Sequence, residues 1–209
     1  MGYGPWAIGR TLLLLTAAAA TAQAAELGAA DVTVRIYHAG VVTEADETGA
    51  LRTAAGILAA ADVVPHWTHC HKGAAPDDAC ARPLAPGELT LRLVRARQVA
   101  TQMPAMTLGE ALLPAQRGAP TLATVHVDRV DWLAERSGTD AKLLLGRAMA
   151  HELTHLLTGI GAHAAEGLMR PVWSLAELSS EHREDWMLDG VNVAAIRARA
   201  NVTMVLVRR

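Results

Sequence analysis

The stretch AMAHELTHLLTGIGAH, residues 148–163, constrains this chain most, because it is typical of a buried helix that ends abruptly at glycines. Side chains four positions apart project from one face of a helix, so His151 and His155 would lie one above the other. Two imidazoles in that arrangement can hold one metal ion. The carboxylate of Glu152 is displaced from them and is free to act as a base toward water. The spacing therefore predicts a metal site on a helix.

A catalytic zinc site needs a third protein ligand and one open position. Gly159 is placed to end the helix in the left-handed conformation and to let the chain turn back toward the metal. We expect His163 to be the third ligand, because a helix continued to this position would carry it away from the site. Glu177 is the alternative third ligand, since a glutamate on a following helix can also complete a zinc site. Ser174 and Glu177 also form the S-x-x-E pattern of a capping box, which explains the glutamate without a metal.

The N-terminus is typical of a secretory signal peptide. It carries a lone positive charge at Arg10, an alanine-rich apolar run, and the small residues Ala22 and Ala24 in an A-x-A arrangement. The apolar run is shorter than the roughly 20 residues that a transmembrane helix needs. We therefore predict a signal peptide at residues 1–24 and a single domain at residues 25–209. The mature protein is expected to be periplasmic or extracellular, without stable insertion in a membrane.

Charge and size exclude some classes of protein. The chain has 19 Lys+Arg against 21 Asp+Glu, so it offers no basic excess for a polyanion, and no basic–aromatic run appears. Nucleic acid is therefore not an expected partner. With 209 residues, of which 51% are hydrophobic, the chain can bury the core of one domain.

Cys70 and Cys80 are the only cysteines in the sequence. In an oxidising compartment, an even pair at this short spacing most simply forms one disulfide. His66, His69 and His71 lie beside Cys70. A second metal site there is an alternative, but we interpret these histidines as part of an exposed polar loop.

Alternating apolar and polar residues predict four strands. They lie in DVTVRIYHAG at residues 32–38, and in DVVPHW, GELTLRLVRA and TLATVHVDRV. Pro65 within DVVPHW predicts that this strand lies at an edge of the sheet or contains a bulge. Residues 101–120 contain three prolines and two glycines. We interpret them as a long loop with at most a helical turn or two, and whether they form a lid stays open.

Residues typical of helix N-termini predict where the helices begin. Thr43 followed by Asp46 marks the beginning of a helix that continues to about Ala61, and Thr139 or Asp140 caps the long helix of the metal motif. The C-terminal third is predicted to be helical, except for VTMVLV, which is β-rich and is interpreted as an added strand or a frayed tail. The order of elements predicts an α+β fold. Its small twisted mixed β-sheet would be packed by the long motif-bearing helix and a backing helix.

HELTHLLTGIGAH followed by GLM resembles the metzincin clan of zinc metallopeptidases. It is most similar to small exported bacterial proteins with the pattern H-E-x-x-H-x-L-x-G-x-x-x-H-x-x-x-G-[IL]-M-R. The loop before the third histidine is two residues longer than the usual metzincin spacing. The resemblance implies one role for each residue of the pattern: zinc ligands His151, His155 and His163, general base Glu152, turning residue Gly159 and methionine-turn residue Met169.

These residues predict an exported metallopeptidase with one catalytic Zn²⁺, acting as a monomer on peptide or protein substrates. Zinc would polarise the scissile carbonyl, and Glu152 would take a proton from water and deliver it to the leaving amine. The resemblance also implies that an edge strand, at residues 122–127, pairs with the extended substrate. One alternative is a non-catalytic zinc-binding or peptide-binding module with a structural metal. Another is a gluzincin-type site that uses Glu177.

Overall fold

The structure is a computed structural model that describes most of the chain after the predicted signal peptide. The described residues are Met1, 29–70, 78–95, 107–114, 121–179 and 182–207, with the backbone alone for 201–207. The predicted signal peptide, apart from Met1, lies outside them, and so does His71.

Five strands of the described residues form one mixed sheet. In chain order they are β1 (Ala30–Tyr37), β2 (Val63–Cys70), β3 (Leu89–Val94), β4 (Gly109–Leu112) and β5 (Leu122–His126). Their order across the sheet is β2-β1-β3-β5-β4. The pairs β2–β1, β1–β3 and β3–β5 are parallel, whereas β4 is antiparallel to β5. The mixed sheet agrees with the predicted α+β class.

The edges of this sheet correct one prediction and confirm another. β2, which contains Pro65, lies at an edge as predicted. The strand predicted to meet substrate as an edge strand is β5, but β5 lies between β3 and β4. The edge on that side is β4, which belongs to the segment 101–120 that the sequence indicated to be a loop. β4 has only four residues and begins at a glycine, so its alternation is too short to recognise. Residues 101–106 and 115–120 lie outside the described part of the chain.

The described residues form five α-helices. They are α1 (Glu44–Leu58), α2 (Val127–Ser137), α3 (Ala141–Thr158), α4 (Leu175–Leu178) and α5 (Gly190–Val207). The Thr43 side chain accepts a hydrogen bond from the backbone N–H of Asp46, and Asp140 caps α3 by accepting from the N–H of Lys142. Both start signals are therefore confirmed, the second at Asp140. No helix in the described part of the chain is long and apolar enough to cross a membrane.

The prediction of a strand or frayed tail at VTMVLV is wrong, because α5 continues through it to Val207. A helix that has already been nucleated gains one hydrogen bond for each residue added, and this outweighs a modest preference for β-structure. The predicted helix after Ser174 is present but short, since α4 ends at Leu178.

The core lies between one face of the sheet and the helices α1 and α3. In the parallel register Val34 and Ile36 of β1 lie beside Leu89 and Leu91 of β3, and all four side chains are buried. α1 and α3 join the same hydrophobic cluster and pack closely. A Cβ atom on Gly146 of α3 would lie 2.5 Å from a backbone oxygen of α1. This packing holds α3, and with it the metal motif, against the sheet near β4 and β5.

The predicted disulfide is present. Cys70 and Cys80 are bonded, with their Cα atoms 5.5 Å apart, so the end of β2 is joined to the segment that precedes β3. Arg35 anchors this segment from the polar face of the sheet. Its guanidinium donates to the carbonyl oxygens of Arg82 and Pro83, and it forms an ion pair with Glu88. The disulfide is compatible with an exported protein.

Candidate metal centre

Three imidazoles converge beside the C-terminal half of α3. His151 and His155 project from the helix and are buried, whereas His163, in the segment that follows, is exposed. Each offers a ring nitrogen, and these nitrogens all lie within 4.8 Å of one another. The ring centroid of His163 lies 5.2 Å from that of His151 and 5.0 Å from that of His155. The structure therefore brings together the three histidines that the sequence singled out.

A backbone carbonyl orients each of the two helix histidines. Nδ1 of His151 lies 3.0 Å from the carbonyl oxygen of Leu168, and Nδ1 of His155 lies 2.7 Å from that of Ile160. Because a carbonyl oxygen only accepts, each Nδ1 carries the proton and donates it. The lone pair of each neutral ring is then on Nε2. The two Nε2 atoms face each other at 3.2 Å.

This donor set fits a metal ion. Two lone pairs 3.2 Å apart repel each other unless a cation or a proton lies between them. Burial lowers the pKa of His151 to about 4 and lowers that of His155 below its ordinary value, so neither ring holds a second proton near neutral pH. Two imidazole nitrogens bound tetrahedrally at the usual Zn–N length would lie about 3.3 Å apart. The observed separation matches that geometry.

Gly159 makes the turn that leads to His163. It ends α3 with φ +68°, and its N–H donates to the carbonyl oxygen of His155 at 2.8 Å. Arg199 of α5 donates to the carbonyl oxygen of Thr158, where a positive charge also complements the helix C-terminus. A Cβ atom on Gly159 would lie 2.1 Å from Nη1 of Arg199. The position thus favours glycine for its left-handed backbone conformation, and a side chain there would also displace the guanidinium of Arg199.

The segment that contains Met169 contacts the metal site through Leu168, the residue before Met169. The carbonyl oxygen of Leu168 accepts from Nδ1 of His151 and also from Nε1 of Trp173, at 3.0 and 3.2 Å. The N–H of Ala164 donates to the carbonyl oxygen of Met169, which closes the loop on itself. The Met169 side chain is buried in the core. Sequence reasoning selected Met169 but missed Leu168, because a backbone acceptor leaves no signal in the residue type.

Glu152 is buried beside β4. Burial raises the pKa of its carboxyl to about 8, and the negative charge of Glu110 adds to the effect. A Cβ atom on Gly109 would lie 2.6 Å from Cγ of Glu152, so the missing side chain on β4 makes room for the carboxylate. Neither Gly109 nor Glu110 could be selected from the sequence, since their contact with α3 depends on the position of β4.

A cleft of about 510 Å³ opens over the three histidines and Glu152. β4 forms one wall, and the middle of α2 and the segment 170–173 form others. The side chains that shape it are Glu110, Leu113, Trp132, Arg170, Val172 and Trp173. Its size and largely apolar walls suit part of an extended organic ligand.

Glu177, the alternative third ligand, is engaged elsewhere. Its carboxylate accepts from the backbone N–H of Ser174 and from the guanidinium of Arg170, both at 2.7 Å. The backbone hydrogen bond at Ser174 is the main cause that lowers the pKa of Glu177. The capping box is complete, and Glu177 is not part of the group formed by the three histidines.

No family model matches the chain, and no curated protein matches it in sequence. The interpretation of the site therefore depends on the residues and distances given above.

Proposed function

We propose that this protein is an exported, zinc-dependent metallopeptidase of the metzincin type. His151, His155 and His163 hold the ion, and Glu152 is the general base. One observation carries the proposal: three imidazole nitrogens lie within 4.8 Å of one another at a cleft that also exposes a buried carboxylate. Three protein ligands leave one coordination position for substrate or water, as in catalytic zinc sites, whereas structural sites fill all four positions with protein groups.

When bound, the zinc ion would polarise the substrate carbonyl and activate water for attack. Glu152 moves the proton in this reaction, taking it from water and passing it to the leaving amine. In the metal-free protein burial raises the pKa of the Glu152 carboxyl to about 8, which makes it a stronger proton acceptor than an exposed glutamate, and the positive charge of a bound ion would favour its ionised form. The carbonyl groups of Leu168 and Ile160 keep Nε2 of the two helix histidines directed at the centre.

β4 favours an extended peptide as the substrate. One side of β4 pairs with β5, and Gly109, Glu110 and Ala111 of the strand line the cleft. An extended chain laid beside β4 would continue the sheet through backbone hydrogen bonds, which do not depend on the substrate's sequence. In this proposal β4 takes the role that the sequence had assigned to residues 122–127.

Export is supported by the disulfide and by the N-terminal sequence. Disulfides such as Cys70–Cys80 persist in oxidising compartments. The signal-peptide pattern of residues 1–24 leads to the same compartments.

The Glu152→Gln variant of the full chain tests the proposal. We expect it to keep the zinc content of the parent, measured by elemental analysis, and to lose peptide hydrolysis by about 10²–10⁴-fold. Glu135→Gln, at an exposed position of α2, is the matched control and should cleave like the parent. Equal hydrolysis by Glu152→Gln and the parent would contradict the assigned base. Zinc and peptide binding without hydrolysis in the parent would favour a non-catalytic module.

A further inference from the structure

A second group of metal-type ligands lies at the β1–β2 side of the sheet. His38 follows the last residue of β1, His69 lies near the end of β2, and Glu47 lies in the first turn of α1. His69 is paired with Ile36 in the parallel register, so His69 and His38, two residues after Ile36, are on the same face of the sheet. Each of the three offers one ligand atom, and these atoms all lie within 4.8 Å of one another.

Glu47 lies between the two imidazoles. Its Oε2 is 3.4 Å from Nε2 of His38, and its Oε1 is 3.1 Å from Nδ1 of His69. These separations exceed the roughly 2.7–2.9 Å of a charge-assisted hydrogen bond and are close to the roughly 3.3 Å between two ligands of tetrahedral zinc. Within the described part of the chain, Oε1 of Glu47 accepts no hydrogen bond.

Burial makes this arrangement costly without a cation. Only 8% of the Glu47 side chain is exposed, and a buried carboxylate requires a hydrogen bond or a compensating charge. An imidazole supplies a compensating charge only when it is protonated, whereas a divalent ion held by all three side chains supplies positive charge without a proton on either ring. The side chain of His69 is 43% exposed, which leaves the group open to an ion from solvent.

We propose that His38, Glu47 and His69 form a second metal site, for a divalent transition-metal ion with zinc as the first candidate. Two imidazole nitrogens and one carboxylate oxygen form a donor set that zinc binds, and the two imidazoles favour a transition metal over Mg²⁺ or Ca²⁺. The site is distinct from the three-histidine site, because β1 and β2 lie at the opposite side of the sheet from β4. The ion would tie the ends of β1 and β2 to the start of α1, beside the disulfide, and so stabilise this corner of the fold.

Zinc stoichiometry tests the inference. Tag-free full chain is dialysed against micromolar zinc and then analysed for zinc per chain. We expect two ions in the parent and one fewer in Glu47→Gln and in His69→Ala. His155→Ala should also lose one ion, from the other site, and His155→Ala combined with His69→Ala should lose both. The matched control is His66→Ala, which should keep two zinc ions. His66 lies on the same strand as His69 but is not part of the group, and its Nε2 lies 2.6 Å from Oδ1 of Asp31.

The variants separate this inference from the proposed function. Unchanged zinc content in both Glu47→Gln and His69→Ala would overturn the second site and leave a plain histidine–glutamate ion pair. If His155→Ala kept the zinc content of the parent while His69→Ala lost one zinc ion, the three-histidine site would be overturned and the second site supported. Glu47→Gln changes a buried group, so His69→Ala decides the result if the former fails to fold. Zinc should also raise the thermal midpoint of His155→Ala but not that of the double variant.

Discussion

Gly109 of β4 lies against Glu152 of α3, with no room for a side chain between the strand and the carboxylate. A Cβ atom on Gly109 would lie 2.6 Å from Cγ and 2.8 Å from Oε1 of Glu152. It would also lie 2.8 Å from the backbone oxygen of Thr124 in β5, which cannot move without disturbing the sheet. The position of the proposed base therefore depends on a glycine in the strand proposed to bind substrate.

Gly109→Ala is expected to lower kcat/KM for a peptide substrate by about 10²-fold while zinc content stays at the parent level. The added methyl group displaces either Glu152 or β4, and a shift of about 1 Å is enough for such a loss. Peptide kinetics and elemental analysis measure the two effects. Gly190→Ala is the control, since its Cβ would meet no atom of the described residues within 4 Å. Parent-like kinetics in Gly109→Ala would show that the close contact does not position the base.

His163→Ala is expected to lose one zinc ion per chain, and Glu177→Gln to lose none. The ring of His163 lies beside the rings of His151 and His155, whereas the Glu177 carboxylate is held by Ser174 and Arg170. Elemental analysis after dialysis measures the difference. Glu177→Gln should lower the free energy of unfolding by less than about 1 kcal/mol, because glutamine can also accept from the N–H of Ser174 and only the ion pair with Arg170 is lost. Loss of zinc from Glu177→Gln with retention in His163→Ala would reverse the assignment.

Acid should destabilise the metal-free protein through His151. Burial lowers the pKa of His151 from 6.5 to about 4 in the folded chain. Between these values the unfolded chain binds a proton that the folded chain does not, so the free energy of unfolding falls as the pH falls from 6.5 to 4. The full effect is on the order of 3 kcal/mol.

Urea unfolding in the presence of a chelator, repeated across this pH window, measures the slope. His151→Gln removes the titrating group and should give a shallower dependence on pH than the parent. Titrating groups that do not interact with His151 contribute equally to both proteins, whereas His155 and His163 are coupled to it. Identical slopes would show that His151 does not titrate as its burial implies.

Gly146→Ala should destabilise the fold although alanine is the better helix former. A Cβ atom at this position would lie 2.5 Å from the backbone oxygen of Ala50 and 2.5 Å from Cβ of Thr53, so α1 and α3 would have to separate. We expect a loss of about 1–3 kcal/mol in thermal or urea unfolding. Gly56→Ala is the matched control, because its Cβ meets no atom within 4 Å and the change should stabilise α1 by up to about 1 kcal/mol. A neutral Gly146→Ala would indicate that the two helices can shift apart at little cost.

Much of the secondary structure could be predicted because its signals lie within a few residues of each other. The Thr43 and Asp140 caps, the alternation of β1 and β3, and the proline of the β2 edge all act locally. β4 was missed because four residues are too few to show a period. The end of α5 was missed because a preceding helix overrides the β-preference of VTMVLV.

The sequence by itself determined the part of the candidate site that one helix and one turn create. His151, Glu152 and His155 are placed by the geometry of a single helix, and Gly159 by the left-handed turn that ends it. The approach of His163 follows from that turn. All of these relationships lie within residues 151–163, so the local residue pattern is enough to reveal them.

Only the tertiary structure decided which distant groups complete the sites. The carbonyl of Leu168 that orients His151, the room that Gly109 leaves for Glu152, and the meeting of His38, Glu47 and His69 all join separate elements. Such contacts depend on strand order and on how closely α1 and α3 pack, which no local pattern encodes. The physical reason is that burial and packing act between segments far apart in the chain, whereas helix periodicity and capping act between neighbours.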